Sequence, residues 1–337
     1  MRHLTLGIFA VMIRRPALAL AAAVLSCACR QNPPDAPVGT PAPAAATRVL
    51  PFDRPLARMA AADSFNGSVL VALPDTVFEQ TYRAASAPAG MHVSSDRRYP
   101  IGEVAQLLLR AAYFRLADQG RLNLNTAVGE YLPDLPRGEV VNFRMLLDHR
   151  AGLPSTLPGG APLRDLQYVS PPGTEERFSA LGYELLAAAL ARITGTSPAE
   201  VIRVRVLEPA GMTDTGVLHP EAPPGKLATG YSDVTGALQP VPLAEFDEPT
   251  PRTDATGALE PLPEYYSTIA DLFYLAQFMP ESGFLRGELQ QPGVRPGYRS
   301  YFYSRLAPEE TVVVLSNREG ASLTAVAGVL RGGAAGG

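Results

Sequence analysis

The stretch that decides the fold is PIGEVAQLLLRAAYFRLADQG, residues Pro100–Gly120. Between residues 104 and 117 only one glutamine and two arginines interrupt a run of apolar side chains. A helix that is apolar on nearly every side is a buried helix, so this segment predicts the central helix on which the other elements pack. Gly120 supplies the left-handed residue at which such a helix stops.

Composition restricts the classes of function. The chain has 337 residues, 46% of them hydrophobic, which predicts one large folded domain or two interlocked subdomains. Its formal net charge of −4 argues against a nucleic-acid partner. Lys226 is the only lysine, and no serine lies three residues before it. Because arginine stays protonated and cannot act as a general base, the sequence lacks a serine–lysine catalytic pair at helical spacing.

The N-terminal segment, residues 1–29, is predicted to be an export signal with a lipobox. Two arginines precede PALALAAAVLS, an apolar run too short to span a bilayer comfortably. VLSC at residues 24–27 resembles a bacterial lipobox, in which the cysteine becomes lipidated. Cys29 is a second candidate for the lipid, and Met12 is a second candidate for the start. We therefore expect an exported protein, in the periplasm or at the cell surface, anchored to a bacterial membrane by lipid on Cys27.

A tether rich in proline and alanine follows at residues 30–51, and the folded domain is predicted at residues 52–337. The tether has no apolar period, which predicts an extended spacer. Cys27 and Cys29 are the only cysteines in the chain. A disulfide between them would be strained, and two cysteines are too few ligands for a metal site, so we expect no metal and no cofactor.

The domain is predicted to mix strands and helices. The elements are a hairpin at 65–72 and 77–83, a second hairpin at 298–305 and 311–316, a short helix capped by Asn142, helices at 181–193 and from Ser197, a helix that starts at a hydroxyl cap in Ser267-Thr268, and a final helix at 322–330. Residues 216–262 are rich in proline, glycine and threonine and predict a long irregular surface excursion.

Several ordered phrases resemble the serine β-lactamase and penicillin-binding peptidase superfamily, especially its class C β-lactamase and esterase branch. They are SSDRRYPIG before the central helix, RLNLNTAVGEYLPDLP and FRMLLDHRAGLP after it, PPGTEERFSALGYELLAAALARITG further on, and PAGMTDT from Pro209. The resemblance covers roughly residues 65–330. It implies an α/β (α+β) fold of the β-lactamase/transpeptidase type, with an antiparallel sheet flanked by helices and a helical subdomain.

The first catalytic signature of that superfamily, Ser-x-x-Lys, is replaced in this chain. The resemblance places Glu103 at the serine and Gln106 at the lysine. In the family the serine is the nucleophile and the lysine, one helical turn later, is its base. A carboxylate nucleophile needs a second acid or base opposite it, and Gln106 has no titratable group. We interpret Glu103 as a residue of the first helical turn, where its negative charge suits the helix dipole.

The second signature, Tyr-x-Asn, is also replaced. Its positions are Phe178, Ser179 and Ala180. The family's tyrosine helps to move protons and its asparagine binds the substrate amide, so this chain lacks both the phenolic hydroxyl and the amide. Ser179 keeps a hydroxyl without an evident base.

The third signature, Lys-Thr-Gly or His-x-Gly on a strand at the cleft, is replaced by Gln291, Pro292 and Gly293. The resemblance implies that the cation which anchors the substrate's carboxylate is missing. Proline has no N–H for a sheet ladder, so Pro292 restricts this strand to an edge or a bulge.

Six residues are candidates for ligand contacts in the cleft: Glu103, His149, Ser155, Phe178, Ser179 and Tyr298. In the family the histidine of DHRAGLP belongs to a structural phrase, so a packed or hydrogen-bonded role for His149 is favoured over catalysis.

We interpret the chain as a pseudoenzyme, an envelope lipoprotein that keeps the fold as a binding or scaffolding module for cell-wall peptide, another envelope protein or a small molecule. The alternative is a hydrolase of the β-lactamase, DD-peptidase or esterase type, with a relocated nucleophile at Ser155, Ser179 or Glu103 and a base such as His149. A third interpretation is a structural lipoprotein whose cleft is filled by Phe178. The oligomeric state stays open.

Overall fold

The computed structural model describes residues 52–157, 161–219, 221, 223–234, 237–243, 252–254, 257–259, 261–279, 287–306 and 309–334. The predicted export signal, the lipobox with Cys27 and the tether lie outside these ranges. None of the helices within them has the length and apolar character that a membrane span requires.

Helices and strands are interleaved along the chain. In order they are α1 (Asp53–Ala61), β1 (Gly67–Leu73), β2 (Thr76–Tyr82), β3 (Tyr99–Pro100), α2 (Gln106–Asp118), α3 (Phe143–Leu147), α4 (Ala180–Thr194), α5 (Pro198–Ile202), α6 (Glu208–Ala210), β4 (Gly216–Val217), β5 (Gly230–Val234), β6 (Ala237–Val241), β7 (Arg252–Asp254), β8 (Gly257–Leu259), β9 (Tyr265–Ser267), α7 (Ile269–Phe278), β10 (Glu288–Arg295), β11 (Tyr298–Leu306), β12 (Glu309–Ser316) and α8 (Leu323–Ala334). A 3-10 turn, Gly102–Ala105, leads directly into α2.

Five antiparallel strands form the main sheet, in the order β10-β11-β12-β1-β2. The two predicted hairpins are present as β1–β2 and β11–β12. β1 pairs with β12, which places Leu70 opposite Val313 although the two positions are 243 apart in the sequence. Pro292 lies in β10, an edge strand, where its missing N–H disturbs only one ladder, as predicted.

Helices cover both faces of this sheet. On one face α1 and α8 bury the side chains of Val69 and Val71 in one apolar cluster. On the other face α2, α4 and α7 share a larger cluster with Leu70 and Phe302. Neighbouring residues of β1 thus serve opposite faces, as the two-residue period of a strand requires. The α/β arrangement of an antiparallel sheet flanked by helices, with further helices beside it, agrees with the predicted fold class.

The central helix predicted from Pro100–Gly120 is α2. Its leucines are at most 2% exposed, and the burial of each one stabilises the fold by about 1.5–3 kcal/mol. Tyr113 is fully buried and donates its hydroxyl hydrogen to the carbonyl of Leu186 in α4 at 2.7 Å. Gly120 ends the helix with a φ of 66°. The helix therefore joins the sheet to the helical part of the domain.

The predicted helix caps are also present. The side chains of Asn142, Ser197 and Thr268 each accept a hydrogen bond from the backbone N–H three residues later. In α7 the capped turn contains Asp271, which is 2% exposed and accepts a hydrogen bond from the hydroxyl of Thr215 at 2.7 Å. The carboxylate thus ties the start of α7 to the loop after α6.

Residues 216–262 differ from the prediction of an irregular excursion, because their described residues include the short strands β4 to β8. These strands have two to five residues each, too few to leave a periodic pattern in the sequence. Gly230 begins β5 beneath Tyr298, where a Cβ would come within 2.5 Å of the ring. Close packing against Tyr298 therefore requires glycine at this position.

His149 joins the end of α3 to the start of α4. Its backbone lies in the left-handed region, with a φ of 52°. Its Nδ1 accepts a hydrogen bond from the backbone N–H of Ser179 at 3.3 Å, and its ring lies about 5 Å from the rings of Phe178 and Tyr183. Burial lowers the pKa of His149 to about 4, and the charge of Arg110 acts in the same direction. The imidazole is therefore neutral at pH 7, with Nδ1 as an acceptor.

We expect the free energy of unfolding to decrease between about pH 6.5 and pH 4 because of His149. An unfolded histidine has a pKa of about 6.5, so in this window the unfolded chain binds a proton that the folded chain excludes. The contribution is fully present above this window and is lost as the pH falls towards 4. Wild type should lose roughly 2–3 kcal/mol more than His149→Asn across it, measured by urea denaturation at stepped pH.

Asparagine is the matched replacement because it tolerates a positive φ, offers an acceptor to Ser179 and does not titrate. If the free energy of unfolding falls equally with pH in the two proteins, the fold does not hold the imidazole neutral.

Candidate functional site

Two cavities lie beneath the edge strand β10. The first, here called the motif cavity, has a volume of about 420 Å³. Its described lining residues are Gly102, Glu103, Ala105, Gln106, Thr156, Ala180, Tyr183, Glu184, Pro261, Leu262, Pro263, Glu264, Arg295 and Pro296. It thus includes Glu103 and Gln106, which the sequence predicts at the first signature, and Ala180, which it predicts at the last position of the second.

The second cavity, here called the histidine cavity, has a volume of about 340 Å³ and includes His149, Tyr183, Glu176 and Gln291 in its lining. Tyr183 lines both cavities, and its hydroxyl donates to the carbonyl of Leu147 at 3.0 Å. Gln291, which the sequence predicts at the position of the third-signature cation, therefore lines the same cavity as His149 and a different cavity from Glu103.

Glu103 is held by β10. Its Oε2 accepts a hydrogen bond from the backbone N–H of Val294 at 2.7 Å. Its Oε1 lies 3.7 Å from Nη1 of Arg295, whose other nitrogen donates to Glu264. The carboxylate is thus bound to the edge strand by one hydrogen bond and one ion pair.

Two glycines permit this contact. Gly102 has a φ of 53°, and a Cβ there would come within 2.8 Å of the backbone nitrogen of Val294. A Cβ on Gly293 would come within 2.2 Å of the carbonyl oxygen of Ile101. Ser300, on β11, donates its hydroxyl hydrogen to the same carbonyl at 2.6 Å. The backbone of β10 therefore lies directly against the turn that carries Glu103.

Gln106 lies at the start of α2 with 5% of its surface exposed. Its Oε1 is buried and has no hydrogen-bond partner in the described part of the chain. Glu264 has the same feature, since its Oε2 is also buried and without a partner there. Both residues line the motif cavity, and each has one unsatisfied oxygen that is shut off from solvent.

Two residues predicted at the second signature lie in different surroundings: Phe178 is at the surface, and Ser179 caps a helix. Phe178 is 46% exposed and its ring lies against His149. Ser179 is 3% exposed, and its hydroxyl donates to the carbonyl of Pro154 at 2.6 Å and accepts from the N–H of Gly182 at 3.1 Å. The hydroxyl of Ser179 therefore caps α4 and faces no base.

Two other predicted candidates lie away from the motif cavity. Ser155 is exposed, and its backbone carbonyl accepts from the N–H of Leu181. Tyr298 is 1% exposed and donates its hydroxyl hydrogen to the carbonyl of Ala228 at 2.7 Å, so it packs the interior and lines neither cavity.

An activated hydroxyl is missing from the described lining of the motif cavity. Thr156 carries its only aliphatic hydroxyl, and that group has no hydrogen bond to an imidazole or a carboxylate among the described residues. Within the same part of the chain no group of three or more potential ligands could hold a metal ion.

Sequence reasoning missed three charged residues of this cavity, Arg295, Glu264 and Glu184. A signal for Arg295 was present, because it follows Gly293 by two residues on the same strand and so shares its side of the sheet. Glu264 follows a proline-rich stretch without a pattern, and only the fold brings it to Arg295.

Solved structures with similar folds cover most of the chain. A class C β-lactamase aligns with a TM-score of 0.67 and 16% identity over 85% of this chain and 95% of that one. A penicillin-binding protein from Bacillus halodurans aligns with a TM-score of 0.64 and 17% identity over 82% and 98%. At these identities the similarity shows the fold, and it confirms the predicted β-lactamase-like architecture.

Curated relatives match over shorter stretches. The D-alanyl-D-alanine-carboxypeptidase/endopeptidase AmpH of Escherichia coli (strain K12) is 29% identical over 136 residues, 34% of this chain and 35% of that protein. The putative penicillin-binding protein PbpX of Bacillus subtilis (strain 168) is 26% identical over 125 residues, 34% and 32%. The matches thus span about a third of the length of each relative.

A family model described as Beta-lactamase matches residues 57–287, which is more than half of the chain. This match agrees with the ordered phrases of the sequence and with the fold. The chain belongs to the Beta-lactamase family.

Proposed function

We propose that this chain is a non-catalytic member of the Beta-lactamase family that acts as a binding or scaffolding module through the motif cavity. The observation that carries the proposal is the hydrogen bond from the N–H of Val294 to Glu103. The residue at the nucleophile position is engaged in holding the edge strand, and its carboxylate faces Arg295 in an ion pair. No proton acceptor for a serine mechanism stands one turn later, because Gln106 cannot titrate.

Two further contacts support this proposal. The hydroxyl of Ser179 is used in both directions by the cap of α4. The neutral His149 accepts from a backbone N–H, which leaves Nδ1 unable to take a proton from a hydroxyl. Removal of a nucleophile or its base alone costs several orders of magnitude in serine hydrolases, and this chain lacks both at the family's positions.

The sequence and the relatives support a setting for the module at the cell envelope. We infer an exported lipoprotein, anchored through Cys27 by the tether of residues 30–51, with the family domain at residues 52–337. The names of two relatives, a D-alanyl-D-alanine-carboxypeptidase/endopeptidase and a putative penicillin-binding protein, support cell-wall peptide or an envelope protein as its partner. An open motif cavity argues against a cleft filled by Phe178, whose ring is 46% exposed.

Acylation assays test the proposal directly. The intact mass of the full chain should stay unchanged after incubation with a fluorophosphonate probe or a penicillin, and nitrocefin and nitrophenyl esters should be hydrolysed at the background rate. A class C β-lactamase is the positive control for both assays. A covalent adduct, or turnover that persists in Glu103→Gln, would establish a hydrolase with a relocated nucleophile such as Ser155 or Ser179.

Stability measurements test the structural role of Glu103. Glu103→Ala removes the acceptor for the N–H of Val294 and the ion pair with Arg295, and should lower the free energy of unfolding by about 1 kcal/mol. Glu103→Gln keeps an acceptor and should lose less. Glu176→Ala, which removes an exposed carboxylate in the histidine cavity, is the control. If urea denaturation gives equal stabilities for Glu103→Ala and Glu176→Ala, the carboxylate does not hold β10.

A further inference from the structure

Six charged residues line the histidine cavity, and the fold pairs some of them with each other. They are three arginines and three carboxylates: Arg110, Arg144, Arg150, Asp148, Glu176 and Glu288. Arg110 and Asp148 form an ion pair at 2.9 Å. Arg144 and Arg150 have no ion pair among the described residues. Two of the three positive charges therefore lack a carboxylate in direct contact.

The carboxylate of Glu288 belongs to the opposite face of β10. Side chains alternate between the two faces of a strand, and the next residue, Leu289, packs against the larger apolar cluster that contains α2. Glu288 accepts a hydrogen bond from the hydroxyl of Tyr303 at 3.2 Å, and Tyr303 belongs to the other cluster, with α1 and α8. Of the three lining carboxylates, that of Glu176, which is exposed, is left to face the two unpaired arginines. The wall therefore carries an excess of positive charge.

Two donors of this wall can be reached from solvent. The guanidinium of Arg144 lies over the ring of Phe114, 5.3 Å from its centroid, and has no hydrogen-bond acceptor in the described part of the chain. Nδ1 of His149 accepts from the N–H of Ser179, so the neutral imidazole carries its proton on Nε2. Nε2 also lacks an acceptor there, and neither it nor a nitrogen of the Arg144 guanidinium is shut off from solvent. Both donors are therefore available to a ligand.

The remaining wall offers an apolar surface next to these donors. Leu107, Phe114 and Leu289 belong to it, and the cavity volume of about 340 Å³ is in the range that holds a small organic ligand. A guanidinium presents its donors in a planar fork that matches the oxygens of a carboxylate or a phosphate. The complementary ligand therefore has an anionic oxygen group on a small apolar body.

We propose that the histidine cavity binds a small organic anion, whose carboxylate or phosphate oxygens accept hydrogen bonds from Arg144 and from Nε2 of His149. Arg150 supplies a second unpaired positive charge in the same wall, and the apolar body of the ligand lies against Leu107 and Leu289. The site is separate from the motif cavity, so the inference goes beyond the function proposed above.

Isothermal titration calorimetry on the full chain at neutral pH tests the charge preference. Phenyl phosphate or benzoate should bind at millimolar concentrations, and benzylammonium and benzyl alcohol, which carry the same ring, should not. Binding of one of the two anions alone identifies the oxygen group as a phosphate or a carboxylate. Heats of dilution alone for both anions would overturn the inference, as would an equal affinity for benzylammonium.

Variants locate the site with the tighter-binding of the two anions. Arg144→Gln should weaken its binding about tenfold, the factor that corresponds to one lost charge-assisted hydrogen bond. Glu176→Gln removes the opposing charge and should strengthen binding by about twofold, a gain that a disturbed fold would not produce. Arg177→Gln is the matched control, because Arg177 is 57% exposed and lies outside the described lining, and it should bind as wild type does.

A thermal melt of each variant checks that it folds, and Glu176→Gln keeps the test decisive if Arg144→Gln unfolds. Wild-type affinity in both Arg144→Gln and Glu176→Gln would contradict the site. An equal loss of affinity in Arg177→Gln and Arg144→Gln would also contradict it, because the anion would then respond to the charge of the whole surface.

Discussion

The close approach of the edge strand β10 to the turn before α2 is the constraint on which the site depends. It requires Gly293 in the strand and Gly102 at positive φ in the turn, because a Cβ at either position would overlap backbone atoms. Ser300 fixes the same turn from β11 through the carbonyl of Ile101. With the two backbones in contact, the side chain of Glu103 reaches the N–H of Val294, and the edge strand gains an acceptor from the helix side of the cleft.

Side chains at the end of α3 and the start of α4 hold these elements together through hydrogen bonds to backbone groups. Ser179 caps α4, and its N–H in turn is bound by His149 at the end of α3. These contacts are hydrogen bonds to backbone groups, which a helix end needs whether or not any chemistry occurs beside it. The two apolar clusters on the faces of the sheet contain neither Glu103 nor Gln106 nor Ala180, so the fold does not depend on which side chains stand at these positions.

Electrostatics distinguish this cleft from the one that the family resemblance implies. The neutral amides Gln106 and Gln291 stand where the resemblance implies cations, and Arg295 is shared between Glu103 and Glu264. The cleft is also divided, because Tyr183 lies between a motif cavity and a histidine cavity. Gln291 and Glu103, which the sequence assigns to the third and first signatures, therefore line different cavities in this chain.

The sequence by itself determined the fold. The apolar period of α2, the two hairpins and the caps at Asn142 and Thr268 are local patterns, and the family phrases placed Glu103, Phe178 and Gln291 at the signature positions. Only the tertiary structure decided what these residues contact. The hydrogen bond from Val294 to Glu103 and the ion pair of Arg295 with Glu264 join distant parts of the chain. Such contacts depend on how the sheet edge packs against a helix, so local sequence propensities cannot predict them.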